Sequence, residues 1–173
     1  MKSLQEHRES IKNNSNAYLY DIPRCYETAV KHIKDAGYTK ITLKRAPDIV
    51  KNFVDYIFES QNERPFFHIE STCGLPFCWN SPYKGGWDID YIKYEWGHLN
   101  SKNQNGDAAD CIQNICLQSS RCNQHIQSSM NVIELLEYGG KLAEVINTNI
   151  HSRELLFQSR KWFELLDRLE EWR

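Results

Sequence analysis

Hydrophobic positions recur at helical spacing in two segments of the N-terminal half. In the first segment, Asp21 and Pro23 are typical of a helix start, and Gly37 is typical of a helix end. In the second, Ala46-Pro47-Asp48 opens another helical pattern. We predict two helices that bury one apolar stripe each. The stripes are Tyr26, Ala29, Val30 and Ile33 in the first helix, and Ile49, Val50, Phe53, Ile57 and Phe58 in the second.

Shorter apolar runs predict strands between the helical segments. Residues 38–43 alternate between polar and apolar positions, and residues 64–72 form a second strand-like run. A third run is rich in aromatic residues and ends in a histidine, Tyr94-Glu95-Trp96-Gly97-His98-Leu99. These patterns predict that the fold contains a sheet as well as helices.

The segment 91–129 has an internal order of strand, turn, strand and helix. A polar loop from Asn100 to Asp110 contains Asn105-Gly106, which is typical of a turn. A strand-like run, 111–117, follows it. Ser119-Ser120 is then suited to cap a helix that carries Cys122, Asn123 and His125.

The C-terminal part is predicted to be helical. Residues 130–147 form one helical pattern, with an interruption at Gly139-Gly140, and residues 153–172 form a strongly amphipathic terminal helix. The stripe of this terminal helix is expected to pack on the core; it contains Leu155, Leu156, Trp162, Phe163, Leu165, Leu166 and Leu169. The sequence contains no internal repeat and no low-complexity linker. We therefore predict a single α+β domain over residues 1–173, with a polar, flexible N-terminus at 1–16.

The composition limits the cellular compartments and the partners that we expect for this protein. The mean hydropathy is −0.65 and the apolar runs are short, so we expect no membrane-spanning segment. The polar start of the chain does not have the pattern of a secretory signal, and six cysteines without such a signal favour a reducing compartment. We expect a protein that is not secreted and lies in the cytoplasm, or in the nucleoid or nucleus. The net charge of −2 does not favour nucleic-acid binding, although a local basic groove is compatible with it.

The segment 91–129 resembles the HNH, or ββα-metal, endonuclease motif. The matching positions are His98-Leu99, Asn105-Gly106, Asn114-Ile115 and Cys122-Asn123. The resemblance implies a ββα-metal core, with a helical N-terminal part and a helical C-terminal cover. It also implies hydrolysis of DNA phosphodiester bonds, with Mg²⁺ or Mn²⁺ as cofactor. Among the nucleases with this motif are restriction, mobile-element and viral enzymes.

The resemblance assigns roles to individual residues. His98 is the general base that activates water, and Asn123 is a metal ligand. Asn114 is a supporting residue that ties the loop to the strand and helps to orient the histidine. Gly97 stands where the family usually has a metal-binding Asp, Glu or His. Glu95 lies two residues earlier, on the same face of the strand, and could reach the missing ligand position directly or through water. His125 is a second candidate, although its offset of two from Asn123 points it to a different helix face. Without either of them, Asn123, the phosphate and waters would hold the metal.

Two further sites are candidates. Four cysteines could form a structural zinc site beside the motif, although their spacing is looser than Cys-x-x-Cys: Cys73, Cys78, Cys116 and Cys122. Cys116 and Cys122 could equally be ordinary core residues. Arg121 and Lys102 are candidate phosphate contacts, and the alternative for each is ordinary solvated surface.

Two functions remain open from the sequence. The first is a metal-dependent endonuclease with DNA as its partner, for which a homodimer through the terminal helix is one arrangement. The second is a non-catalytic module on a degenerate HNH scaffold, binding nucleic acid or protein. Gly97 and the negative net charge favour the second function, whereas the joint presence of His98, Asn114 and Asn123 favours the first.

Overall fold

The computed structural model describes residues 22–61, 79–81, 86–88, 94–119, 123 and 130–173. These residues form an α+β fold that is mostly helical, as the sequence predicted. The helices are α1 (Ile22–Asp35), α2 (Pro47–Ser60), α3 (Lys102–Asn105), α4 (Val132–Tyr138), α5 (Gly140–Phe157) and α6 (Arg160–Glu170), and the strands are β1 (Trp79–Ser81), β2 (Gly86–Asp88), β3 (Tyr94–His98) and β4 (Ile115–Ser119). In the described part of the chain, no helix combines the length and apolar character needed to span a bilayer.

The strands form two antiparallel pairs, β1 with β2 and β3 with β4. In the second pair His98 lies opposite Ile115, and Gly97 lies opposite Cys116. Side chains alternate along a strand, so Trp96 and His98 share one face of β3, and Glu95 and Gly97 share the other. The register therefore distributes the motif residues over both faces of one short hairpin.

The main core lies between α1, α2, the β3–β4 pair, the end of α5 and α6. Phe53 of α2 is fully buried, with its ring centroid 5.4 Å from that of Trp96 and 6.2 Å from that of Trp162. Ala29, Ile33, Ile49, Val50 and Ile57 are buried as predicted, whereas Tyr26, Val30 and Phe58 are only partly buried. The helical periodicity thus identified most of this core.

Two buried polar side chains hold β4 from outside the sheet. Gln61, directly after α2, donates from Nε2 to the Leu117 carbonyl (2.8 Å) and accepts from the Leu117 amide (3.1 Å). Arg153 of α5 donates from Nη2 to the carbonyls of Gln113 (2.7 Å) and Ile115 (2.9 Å). These contacts satisfy backbone groups that a two-stranded sheet leaves without a ladder partner. They fix the hairpin, and therefore His98, relative to α2 and α5.

The predicted strand at residues 38–43 is wrong, because this segment consists of turns. The Ile41 amide donates to the Tyr38 carbonyl, and the Lys40 amide donates to the carbonyl of Trp172. Tyr38 and Ile41 are nevertheless buried. Their apolar side chains pack into the main core without a strand partner. The predicted strand at residues 64–72 lies outside the described residues.

The loop and second strand of the motif also differ from the prediction. The segment 100–110 is not an irregular loop: it contains α3 and a 3₁₀ turn, Gly106–Ala109. The predicted strand at 111–117 begins only at Ile115, after a second 3₁₀ turn at Ile112–Asn114. Strand β4 starts at Ile115, the residue that pairs with His98. The sequence pattern alone could not locate this first paired residue.

The C-terminal helices are divided differently from the prediction. The interruption at Gly139-Gly140 is confirmed, and both glycines have positive φ, 78° and 63°. However, α5 continues through Arg153 to Phe157, and α6 begins only after Ser159, whose hydroxyl accepts from the Trp162 amide. Leu155 and Phe163 are consequently 57% and 55% exposed rather than in the buried stripe. Two helices with separate axes cannot share one stripe.

Candidate active site

The end of β3 borders a cavity of about 210 Å³. Its walls come from α1, β3, α3 and residue 123, and they include His32, Trp96, Gly97, His98, Lys102 and Asn123. The structure therefore places His98 and Asn123, which are 25 positions apart in the sequence, beside the same cavity. Cys122, Arg121 and His125 lie outside the described residues.

Gly97 allows Asn123 to approach the strand. A Cβ atom at position 97 would lie 2.3 Å from Asn123 Oδ1, which is closer than such atoms can pack, and a tight 3.3 Å from Gln118 Nε2. The nitrogen of the same amide donates to Glu95 Oε2 at 3.2 Å. Because glycine has no side chain, the Asn123 amide can occupy the space next to position 97. The hydrogen bond to the Glu95 carboxylate orients this amide, so that its oxygen faces Gly97.

The Asn114 side chain links the two ends of the segment between β3 and β4. Its Oδ1 accepts from the Asn100 amide at 2.8 Å, and its Nδ2 donates to the carbonyls of Asn100 (2.9 Å) and Ala109 (2.8 Å). The Leu99 amide donates to the Asn114 carbonyl at 2.8 Å. Four hydrogen bonds therefore fix the backbone that carries Lys102 and Asp110, next to His98.

His98 lies against a carboxylate that the sequence analysis did not single out. Its Nε2 is 3.2 Å from Asp110 Oδ1, and the other oxygen of Asp110 is 2.6 Å from Lys102 Nζ. Burial lowers the pKa of His98 below its usual value, and the neighbouring Asp110 carboxylate acts in the opposite direction. A neutral imidazole at neutral pH can accept a proton, which is what a general base requires.

Lys102 is partly exposed, and its ammonium group pairs with protein carboxylates. Its hydrogen bond with Asp110 raises the pKa of the lysine ammonium, and Asp35 of α1 lies 4.0 Å away. The side chain is still 42% exposed, so it borders both the cavity and the solvent. This placement leaves the predicted phosphate contact untested and gives Lys102 a second role, neutralising Asp110.

His32 is a second histidine at the site that the sequence analysis missed. Its ring is edge-on to that of His98, with centroids 5.1 Å apart. Burial, and then the charge of His98, lowers the pKa of His32 to about 4. The sequence feature that could have indicated His32 is its position three residues after Ala29, which places it next to the apolar stripe of α1.

We expect His32 to make folding acid-sensitive. Its pKa is below the unfolded value of 6.5, so the unfolded chain binds protons more readily and stability falls as pH decreases from about 6.5 towards 4. The wild type should lose about 2 kcal/mol more than His32→Gln between pH 7 and pH 5. Urea unfolding at both pH values measures this difference. His151→Gln, at an exposed position on α5, should behave as the wild type. Equal losses in wild type and His32→Gln would contradict the expectation.

Of the four cysteines in the predicted zinc site, only Cys116 is among the described residues. Cys116 is fully buried next to Val132, Leu135 and Ile146, and its Sγ accepts from Gln118 Nε2 at 3.1 Å. Burial raises the pKa of its thiol to about 11, which favours the protonated form over a zinc-binding thiolate. Cys73, Cys78 and Cys122 lie outside the described residues, so the four-cysteine site stays a prediction.

Asn123, which lines the cavity, and its hydrogen-bond partner Glu95 have the oxygen donors that a hard cation prefers. Asn123 Oδ1 and the Glu95 carboxylate are oxygen donors held within one hydrogen-bonded pair. Among residues that the structure describes, there is no cluster of three or more His, Cys, Asp or Glu that could hold a metal. Mg²⁺ does not need such a cluster, since it usually keeps several waters and takes few protein ligands.

Comparisons of the chain with family models, with curated proteins and with solved structures found no match. Function therefore has to be inferred from the residues and geometry of this chain.

Proposed function

We propose that this protein is a metal-dependent endonuclease of the HNH type, with a ββα-metal core, that hydrolyses DNA phosphodiester bonds. The observation that carries the proposal is the placement of His98 and Asn123 beside one cavity at the end of the β3–β4 hairpin. The segment that follows β4 in the sequence contributes Asn123, which corresponds to the third element of the motif. The resemblance in sequence and the shared cavity lining both support the proposal.

In this proposal His98 accepts the proton of the attacking water. Its lowered pKa keeps the imidazole neutral near pH 7, and the carboxylate of Asp110 compensates the positive charge that the ring acquires on proton transfer. Lys102, partly exposed at the cavity, is the described cation best placed to approach a phosphate. Asn114 acts indirectly, by holding the backbone that carries these groups.

The divalent cation would be held by Asn123 through Oδ1, with the Glu95 carboxylate beside it. Glu95 would also keep the amide oriented, through the hydrogen bond from Nδ2. When bound, Mg²⁺ or Mn²⁺ would neutralise charge on the scissile phosphate and stabilise the leaving oxygen. Gly97 leaves the space that this arrangement needs, which is a physical reason for the absence of the family's usual acid at that position.

Plasmid cleavage by the purified protein tests the proposal. We expect supercoiled DNA to be nicked or cut in Mg²⁺ or Mn²⁺ and to remain intact in EDTA. Gel retardation of the same DNA, run in parallel, addresses the non-catalytic alternative. A folded protein that retards DNA without cutting it would favour the binding module, and one that does neither on several DNA substrates would reject both roles on DNA.

A further inference from the structure

The His98 imidazole, the Asp110 carboxylate and the Lys102 ammonium form a continuous row, and nothing in the sequence motif anticipates its central member. Oδ1 of Asp110 is 3.2 Å from His98 Nε2, and Oδ2 is 2.6 Å from Lys102 Nζ. Both His98 Nε2 and Asp110 Oδ1 are shielded from solvent, and they form a close ionic contact without the alignment of a hydrogen bond. The carboxylate therefore faces the histidine from inside the protein, on the side that water does not reach.

This geometry restricts which nitrogen of His98 carries the proton. A neutral imidazole has one N–H and one lone pair. A lone pair on Nε2 would be repelled by the nearby ionised carboxylate, whereas the positive end of an N–H bond at Nε2 would be attracted to it. The proton is therefore favoured on Nε2, and the lone pair on Nδ1.

The charge of Lys102 allows His98 to act as a general base beside the Asp110 carboxylate. An uncompensated carboxylate next to a largely buried histidine would favour the imidazolium, which cannot accept a proton. Because Lys102 pairs with the second oxygen, Asp110 can stay ionised while its effect on the charge state of His98 is moderated. Asp35 lies 4.0 Å from the same ammonium on the α1 side.

We propose that Asp110 is a positioning residue that holds His98 as the Nε2–H tautomer, so that Nδ1 is the atom that accepts the proton of the attacking water. The assignment of the reactive atom rests on the proposed nuclease function. The tautomer itself does not, and it can be measured without any substrate.

Two-bond ¹H–¹⁵N correlation spectra of the folded protein at pH 7.5 report the tautomer of each histidine. The chain has six histidines, and the signals missing from His98→Ala identify those of His98. We expect wild-type His98 to be Nε2–H, and Asp110→Asn to shift its tautomer population towards Nδ1–H. Asp107→Asn is the matched control: it makes the same chemical change at an exposed position in the preceding 3₁₀ turn, and it should leave His98 unaltered.

Cleavage kinetics supply the second readout. Asp110→Asn should lower kcat by about 10²-fold with little change in KM, because the substrate is still bound but the base is misoriented. Wild-type His98 in the Nδ1–H form would overturn the proposal even if Asp110→Asn did not fold. An unchanged tautomer and kcat within about threefold in a folded Asp110→Asn would overturn it as well. A protein that never cuts DNA, but whose His98 tautomer depends on Asp110, would uphold the positioning role and reject the nuclease function alone.

Discussion

Replacing His98 with alanine is expected to lower metal-dependent DNA cleavage by about 10²- to 10⁴-fold, the usual contribution of a general base. The loss should come from chemistry rather than from unfolding. His98 is only 10% exposed, but its removal does not leave Asp110 without a partner, because Lys102 holds the same carboxylate at 2.6 Å. The buried charge therefore stays compensated in the variant.

Plasmid cleavage in Mg²⁺, together with urea unfolding, separates these effects. His151→Ala removes a histidine from the exposed face of α5 and should cut at the wild-type rate. The acidic limb of the wild-type rate profile should lie below pH 6.5, because burial lowers the pKa of His98. Added imidazole should restore part of the activity of His98→Ala if proton transfer is the lost step. Retention of the rate within threefold by His98→Ala would reject the assigned role.

Introducing at position 97 the acid that the HNH family usually has before its histidine should lower DNA cleavage rather than increase it. Gly97→Asp is expected to lower cleavage by about 10²-fold or more. Even Gly97→Ala should behave similarly, since a Cβ at this position would lie 2.3 Å from Asn123 Oδ1 and 3.0 Å from its Cγ. The Asn123 amide would have to move, and its 3.2 Å hydrogen bond to Glu95 would break.

The stability cost of Gly97→Ala should remain near 1 kcal/mol, because the displaced atoms are the end of a side chain rather than backbone. Gly140→Ala is the matched control: its backbone has positive φ, so alanine is strained there, yet a Cβ meets nothing within 4 Å. We expect similar destabilisation in both variants, measured by urea unfolding, but loss of cleavage only in Gly97→Ala. Wild-type cleavage by Gly97→Asp would show that the cavity does not use the Asn123 amide as placed here.

The local elements were largely readable from the sequence. Helix α1 and helix α2 follow from their start signals and stripes, and the glycine pair before α5 marks a real interruption, since two consecutive residues with positive φ end a helix. The first strand of the motif ends at His98 as predicted. These features depend on backbone geometry and on the spacing of apolar side chains within one element, which are local properties.

Contacts between elements decided the rest. The sequence indicated His98, Asn114 and Asn123, but it could not show that Gly97 provides space for the Asn123 amide, because that contact joins residues 26 positions apart. It also gave no sign that Asp110 and His32 meet His98, since an aspartate closing a polar loop and a histidine on a helix are ordinary surface patterns. The pattern at residues 38–43 misled for the same reason: Tyr38 and Ile41 are buried by packing in the main core, in a segment of turns without a strand partner. Local sequence determined which residues could form helices, strands and a site, and tertiary packing determined which charges and rings surround the histidine.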